Sequence, residues 1–313
     1  MKSRLLIVGS LSIDLVLEVP RLPAKGETII GSSFETFCGG KGNNQTVAAA
    51  RAGADVMLLG KTGQDEYGQR LRDTLIGEGV DITHLMADST QKTGIANIWV
   101  GPTGENSIVI VPNSNHALRP QDITDRAEIF TSAAVVLMQL ESPFDTAAQA
   151  AQLGRQHGAK VVLNPAPAPI DGKLPEQILR NLDFIVPNET ECELLTGIAP
   201  NDETQCHKAL DALLALGVDT AIITLGERGA VYKTRGMSAP IYKAAHEVEV
   251  KDTTAAGDAF CGALCGAMAA GKSLDIALDY ALAAGSLACT KSGAVPSLPD
   301  KAAIEKLMTH AKI

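Results

Sequence analysis

The sequence predicts an α/β fold: a three-layer α/β/α core around a mainly parallel central sheet, with a small β-sheet lid. Three observations predict it. Short runs of valine, isoleucine and leucine alternate with amphipathic helical stretches through the middle of the chain, the pattern of strands buried on both faces. Two extended stretches, near residues 14–36 and 93–112, break that rhythm. The 313 residues are 45% hydrophobic and 20% charged, enough apolar material for a sizeable buried core.

The opening "MKSRLLIVGSLSIDLVLEV" places Lys2 and Arg4 before an apolar run, as a signal peptide would. Asp14 interrupts that run and no clean small-x-small cleavage site follows, so a buried strand over Leu5–Gly9 and an alternating strand over Asp14–Val19 fit better. "CGGKGNNQTVAAARAGA" (38–54) enters the first long helix. Strands are expected over 55–60, 133–141, 160–165, 183–188 and 220–226, with helices over 65–79, 142–158 and 201–217. "TGIANIWVGPTGENSIVIVP" (93–112) reads as a hairpin turning at Gly101–Glu105, and pairs with 14–36 as the lid. "HEVEV" (246–250) reads as a last strand, feeding a helix over 257–271. From there the chain is mostly helical apart from the loop "KSGAVPSLP" (291–299). With no internal repeat, low-complexity stretch or flexible linker, residues 1–313 are expected to form a single domain.

A net charge of −9 disfavours a nucleic-acid surface, which needs a basic excess, while small anionic ligands stay open to a few local donors. No stretch of 18 apolar residues suggests a membrane span. Cys38, Cys192, Cys206, Cys261, Cys265 and Cys289 show no paired CxxC spacing, which argues against zinc or disulfides and for a reduced, cytoplasmic compartment. The tripeptide Gly60–Thr62 is not a P-loop, because Asp55 stands where that motif needs its first glycine. "GSLSID" (9–14) lacks the GxGxxG spacing of a dinucleotide fold, so a Rossmann-type oxidoreductase is disfavoured. Six scattered histidines form no i, i+4 ligand pair.

Three stretches carry candidate chemistry. In "KDTTAAGDAFCGAL" (251–264), Ala255, Ala256 and Gly257 fall at the turn into a helix, where free N–H groups and the positive dipole end meet an anion. Asp258, in the first turn, would then lie beside that anion as a proton acceptor; the plainer alternative is an ordinary cap by Asp252 or Thr253. Around Gly39, Gly40 and Gly42, close backbone approach combines with the donors Lys41, Asn43 and Asn44, as a site that reads hydroxyls or phosphate oxygens does. The alternative there is a flexible turn. In "PNETE" (187–191), Asn188 and Glu191 share one helical turn and could order magnesium-bound water, or simply form a capping box.

Together these stretches resemble the ribokinase family of sugar and nucleoside kinases. The likeness runs almost end to end: "GSLSID", "GGKGNN", "MQLES" (138–142), "NPAPA" (164–168), "PNETE", "TLGERG" (224–229), "DTTAAGD" (252–258) and "TKSGAVPS" (290–297) occur in the family's order. The resemblance implies a ribokinase-like fold and an ATP-dependent kinase that phosphorylates the primary hydroxyl of a pentose, ribose first. It implies Asp258 as base, with Ala255, Ala256 and Gly257 as anion hole for the γ-phosphoryl group. Ser12, Asp14, Gly40, Lys41, Asn44 and Glu141 match sugar-binding positions. Asn188 and Glu191 match supports of a Mg²⁺–phosphate network, and Thr224, Gly226 and Gly229 match the nucleotide site. A monovalent-cation (K⁺) site would involve Asp252, Thr254, Ala288, Lys291, Gly293 and Ser297. A homodimer through the β-lid is also implied. One departure stands out: Ser12 replaces an asparagine, and the lost donor can shift preference toward 2-deoxyribose, another furanose or a nucleoside. Asn97 and Trp99 in the lid hairpin are candidates for acceptor choice. A non-catalytic sugar or nucleotide sensor on the same fold is the reading from a different class.

Overall fold

A computed structural model describes residues 3–310. The chain enters through β1 (Arg4–Val8), β2 (Ser12–Glu18) and β3 (Ser33–Gly39), then α1 (Lys41–Arg51), β4 (Val56–Gly63), α2 (Glu66–Gly77) and β5 (Leu85–Asp88). There follow β6 (Gly94–Val100), β7 (Asn106–Val111), α3 (Pro120–Thr124), β8 (Ala133–Met138), α4 (Phe144–Gln156), β9 (Lys160–Leu163) and α5 (Glu176–Leu179). Next come β10 (Phe184–Ile185), α6 (Glu189–Thr196), α7 (Glu203–Ala215), β11 (Thr220–Thr224), β12 (Ala230–Thr234) and β13 (Ile241–Lys243). The last elements are α8 (Ala256–Ala269), α9 (Leu274–Ala288) and α10 (Lys301–His310).

Alternation along the central strands creates the three layers. Leu5 and Ile7 of β1 enter one apolar core with α1, α8 and α9, while Leu6 and Val8 enter a second core with α4 and α7. Val135 and Leu137 of β8 divide from Val136 and Met138 in the same way. Because side chains alternate across a strand, a continuous apolar run has to be covered on both faces. The sheet order is β13-β12-β11-β10-β9-β8-β1-β4-β5, with β12 and β13 antiparallel and the other pairings parallel.

The lid is a four-stranded sheet ordered β3-β2-β6-β7. Its hairpin turns where expected, with Gly101 N–H donating to Glu105 O at 2.8 Å. Residues 19–32 hold no strand, so the lid's strands lie within 12–39 and 94–111. The expected strand at 246–250 is not formed: the sheet ends at β13, and this segment has no neighbour to pair with. It runs instead along a cleft beside α8, lining it with Val248 and Val250. Lys61 of the rejected P-loop tripeptide lies inside β4, its Nζ donating to Asp122 at 2.7 Å and to Ala117 O at 2.9 Å.

Candidate active site

The turn into α8 is built without a cap. Ala255 sits in the left-handed region at φ 59°, a conformation that costs a non-glycine residue about 1–2 kcal/mol, and no side chain caps the helix. Asp252 holds the turn from behind, accepting Thr254 N–H at 2.9 Å and Gly293 N–H at 2.8 Å on its two oxygens. Ala256 N–H turns back to Thr253 O at 3.2 Å. Among the described residues no acceptor meets the N–H groups of Ala255, Gly257 or Asp258. A Cβ added at Gly257 would meet nothing within 4 Å, so this helix end faces open space. A 14-residue helix there presents free donors and a positive dipole end to the cleft.

Asp258 lies in the first turn of the helix, buried, and α1 reaches it. Asn44 Nδ2 donates to its Oδ2 at 3.0 Å and Gln45 Nε2 to its Oδ1 at 2.9 Å. Close packing of α1 on α8 permits this, since a Cβ at Gly262 would stand 2.5 Å from Gln45 O. The start of α1 is folded onto β1 and β8: Glu141 Oε2 accepts Lys41 N–H at 2.9 Å and Ser10 Oγ–H at 2.5 Å. Gly40 has φ 88°, and a Cβ there would press within 2.9 Å of Ser12 N. At Gly39 a Cβ would strike the Asp14 carboxylate, so glycine lets that side chain lie against the backbone. Ser12 Oγ donates to Asp14 Oδ1 at 3.3 Å.

Four carboxyl groups, of Asp14, Glu141, Asp258 and Glu191, and the Lys41 amine act on one another here. Burial, with Glu141 and Asp258 nearby, pushes the Asp14 carboxyl up to about 7, against the Ser12 hydrogen bond. Burial likewise raises Asp258, opposed by Lys41 and the two amide donors. Burial works against the charge on Lys41, but Asp258, Glu141 and Glu191 hold its ammonium above the ordinary value. Burial also raises Glu191 despite the Asn188 N–H bond it accepts.

Beside this pocket opens a cleft of about 1020 Å³, lined by Asn188, Thr224, Gly226, Gly229, Ala256 and Gly257. Val248, Val250, Phe260 and Leu282 give it an apolar wall. Gly229 needs its glycine twice over: its φ is 92°, and a Cβ would stand 2.1 Å from Lys243 O. A polar pocket with a buried carboxylate, meeting a free helix end and a cleft, is a layout that suits group transfer between two bound molecules.

The model of the pfkB family of carbohydrate kinases matches residues 2–301. The chain belongs to that family. The kinase is 38% identical over 311 residues to the ribokinase of Haemophilus influenzae, covering 99% of this chain and 100% of that one. It is 33% identical over 294 residues to the deoxyribokinase of Salmonella typhi, across 94% of this chain and 95% of that one. Its fold superposes at a TM-score of 0.92 on an Arabidopsis thaliana ribokinase solved with ribose and ATP, at 34% identity, covering 98% and 99% of the two chains. As a member, the protein is a phosphotransferase with an alcohol acceptor.

Not every sequence candidate of this kinase falls in one place. Asp14, Gly40, Lys41, Asn44, Glu141 and Asp258 converge on the buried pocket. Asn188 and Glu191 form the full capping box of α6, each side chain accepting the other's backbone N–H, at 2.8 Å and 2.9 Å. Of the cation candidates, Asp252 links directly to Thr254 and Gly293. Ala288 is buried at the end of α9, Lys291 is exposed, and Ser297 Oγ donates to Ala294 O at 2.8 Å. Asn97 and Trp99 are opposite Leu15 and Leu17 in the register, on the lid face away from Asp14, and that face is turned toward α2. Of that hairpin, Ala96 and Ile98 share the face of Asp14. Gln45, Asn164 and Gln139 were not singled out from the sequence. Gln45 stands next to Asn44 in the glycine motif and Asn164 opens "NPAPA", but their roles depend on contacts across 94 or more positions.

Proposed function

We propose that this kinase transfers the γ-phosphoryl group of ATP to the primary 5-hydroxyl of a pentose, with D-ribose as first acceptor. The observation that carries the reading is Asp258: a buried carboxylate held by two amides, in the first turn behind an uncapped helix end that opens on the cleft. Ribokinases at 38% and 34% identity, the second solved with ribose and ATP, support the acceptor and the donor.

Asp258 takes the proton of the attacking hydroxyl as its oxygen bonds to the γ-phosphorus, and the bond to the β–γ bridging oxygen breaks to release ADP. Burial strengthens Asp258 as a proton acceptor. The free amides of Ala255, Gly257 and Asp258 face the charge that spreads over the phosphoryl oxygens; Ala256 shapes the turn, its own N–H being bonded to Thr253. Asp14, Ser12, Lys41, Asn44 and Glu141, with the backbone at Gly40, hold the sugar hydroxyls. A carboxylate accepting from two hydroxyls fixes the ring before transfer. Thr224, Gly226 and Gly229 border the nucleotide.

Two ions fit the residues present. Glu191 Oε1 has no donor among the described residues, and with Asn188 it would hold water on a Mg²⁺ that neutralises the phosphates. Hydrogen bonds from Thr254 and Gly293 outweigh burial and keep Asp252 ionised, below the ordinary carboxylate range. With oxygens around Thr254, Ala288, Lys291, Gly293 and Ser297, it would hold a K⁺ that stiffens the turn into α8.

Strand β7 leaves Ile108, Val109, Ile110 and Val111 exposed on both its faces at the lid's edge, which supports a homodimer through the lid. No helix among the described residues is long and apolar enough to cross a membrane, and a cytoplasmic location fits six free thiols.

A second acceptor, 2-deoxyribose, is favoured by the short Ser12 and by the deoxyribokinase relative. ADP release with ribose, 2-deoxyribose and ribonucleosides, in the presence of Mg²⁺ and K⁺, tests the proposal. Turnover highest on ribose supports it and highest on 2-deoxyribose favours the second reading. Binding without ADP release from any acceptor leaves a sensor and overturns both.

A further inference from the structure

Behind Asp258 lies a chain of uncharged amides that the reaction described above does not use. Val186 O accepts from Asn164 Nδ2 at 2.9 Å. Asn164 Oδ1 accepts from Gln45 Nε2 at 2.9 Å, the same nitrogen that donates to Asp258 Oδ1. Gln45 Oε1 in turn accepts from Gln139 Nε2 at 2.5 Å. The direction of every link follows from its end. A backbone carbonyl can only accept, so Asn164 turns its NH₂ to Val186 and its oxygen to Gln45. Gln45 must then present NH₂ on that side, and both its hydrogens are committed, one to Asn164 and one to Asp258. Gln45 is 0% exposed and Gln139 2%, so both side chains are shielded from bulk solvent.

We infer that Gln45 is the positioning residue of the base: its carboxamide, locked by Asn164 and Gln139, fixes the rotation of the Asp258 carboxylate and keeps Oδ1 an acceptor. The inference rests on Asp258 being the base. It adds that the orientation of that base is set from the ends of β8, β9 and β10, through side chains other than those assigned above to the sugar and the nucleotide. Val186 is two residues before Asn188, so the same relay ties the base to the strand end that carries the phosphate-side cap. Gln139 Oε1 has no partner among the described residues, which makes Gln139 the loosest link and a suitable place to cut the relay without touching Gln45.

Gln45→Leu removes a donor to the carboxylate and frees its rotation. Lys41 and Asn44 of α1, Glu141 after β8, Asp14 of β2, Glu191 of α6 and Cys261 of α8 still face Asp258 in the variant, so a change in its titration reports the lost amide. Removing a donor to the charged form favours the proton, so the acid limb of the kcat–pH profile should move upward by about one pH unit. At pH 7 kcat should fall about tenfold or more, while KM for ATP stays within about twofold. A folded Gln45→Leu enzyme whose acid limb does not move, its loss of rate equal at every pH, would overturn the inference. Should that variant fail to fold, Gln139→Met carries the test: the limb should move the same way with a loss of about threefold, and an unmoved profile overturns it. Asp258→Asn distinguishes the two levels. If it is inactive and the Gln45 profile is unmoved, the base stands and the relay falls; if it turns over normally, the base assignment itself fails.

Discussion

Asp14→Asn should make the sugar-free enzyme more stable at alkaline pH and poorer at binding sugar. The carboxyl is raised from its ordinary 3.8 to about 7, by burial first and then by Glu141 and Asp258. A group raised in the folded state contributes stability that is complete below about pH 4 and is lost as pH climbs through 7. Above that the enzyme bears the cost of an ionised, crowded carboxylate, and the rise sets a ceiling of about 4 kcal/mol. Asparagine keeps the acceptor for Ser12 Oγ and removes the charge. Denaturant titrations of both proteins at pH 5 and pH 8.5 measure the effect. The variant should gain about 1–3 kcal/mol on the parent between the two conditions, since pH 5 already lies above the unfolded value, and sugar KM should rise about tenfold or more for loss of the charged acceptor. A stability difference that is the same at both pH values would refute the reasoning.

Two further substitutions probe the helix end and its support. Gly257→Ala meets no atom within 4 Å, so it should fold with about 0.5–1 kcal/mol of added stability while its methyl lowers kcat/KM for ATP about tenfold, seen by melting curves and steady-state kinetics. Asp252→Ala unties the Thr254 and Gly293 amides and should abolish any difference in rate between KCl and NaCl, read from initial rates at fixed ionic strength.

Periodicity exposed the parallel core and most of its helices, because burial on both faces leaves unbroken apolar runs such as Leu5–Ile7 and Val135–Leu137. It could not place 246–250: "HEVEV" alternates like a strand, yet strand formation needs a neighbour, and β13 had already ended the sheet. The short edge hairpin of β12 and β13 passed unnoticed because three or five residues carry little pattern. The lid shows the same limit differently. Its hairpin was legible from the turn at Gly101–Glu105, but which face Asn97 takes depends on the register with β2, a pairing across more than eighty positions. The glycines at 39, 40 and 257 were readable as close approaches. What they approach was not: Gly39 admits the Asp14 carboxylate and Gly257 opens to the cleft.

Phosphoryl transfer in this kinase requires a proton to leave the acceptor hydroxyl for one side chain. Replacing that side chain as Asp258→Asn, and measuring ADP release together with sugar binding by calorimetry, tests this most directly. A fall in kcat of about a thousandfold or more, with sugar affinity kept within a few fold, is the predicted result. Undiminished turnover in the folded variant would contradict the account.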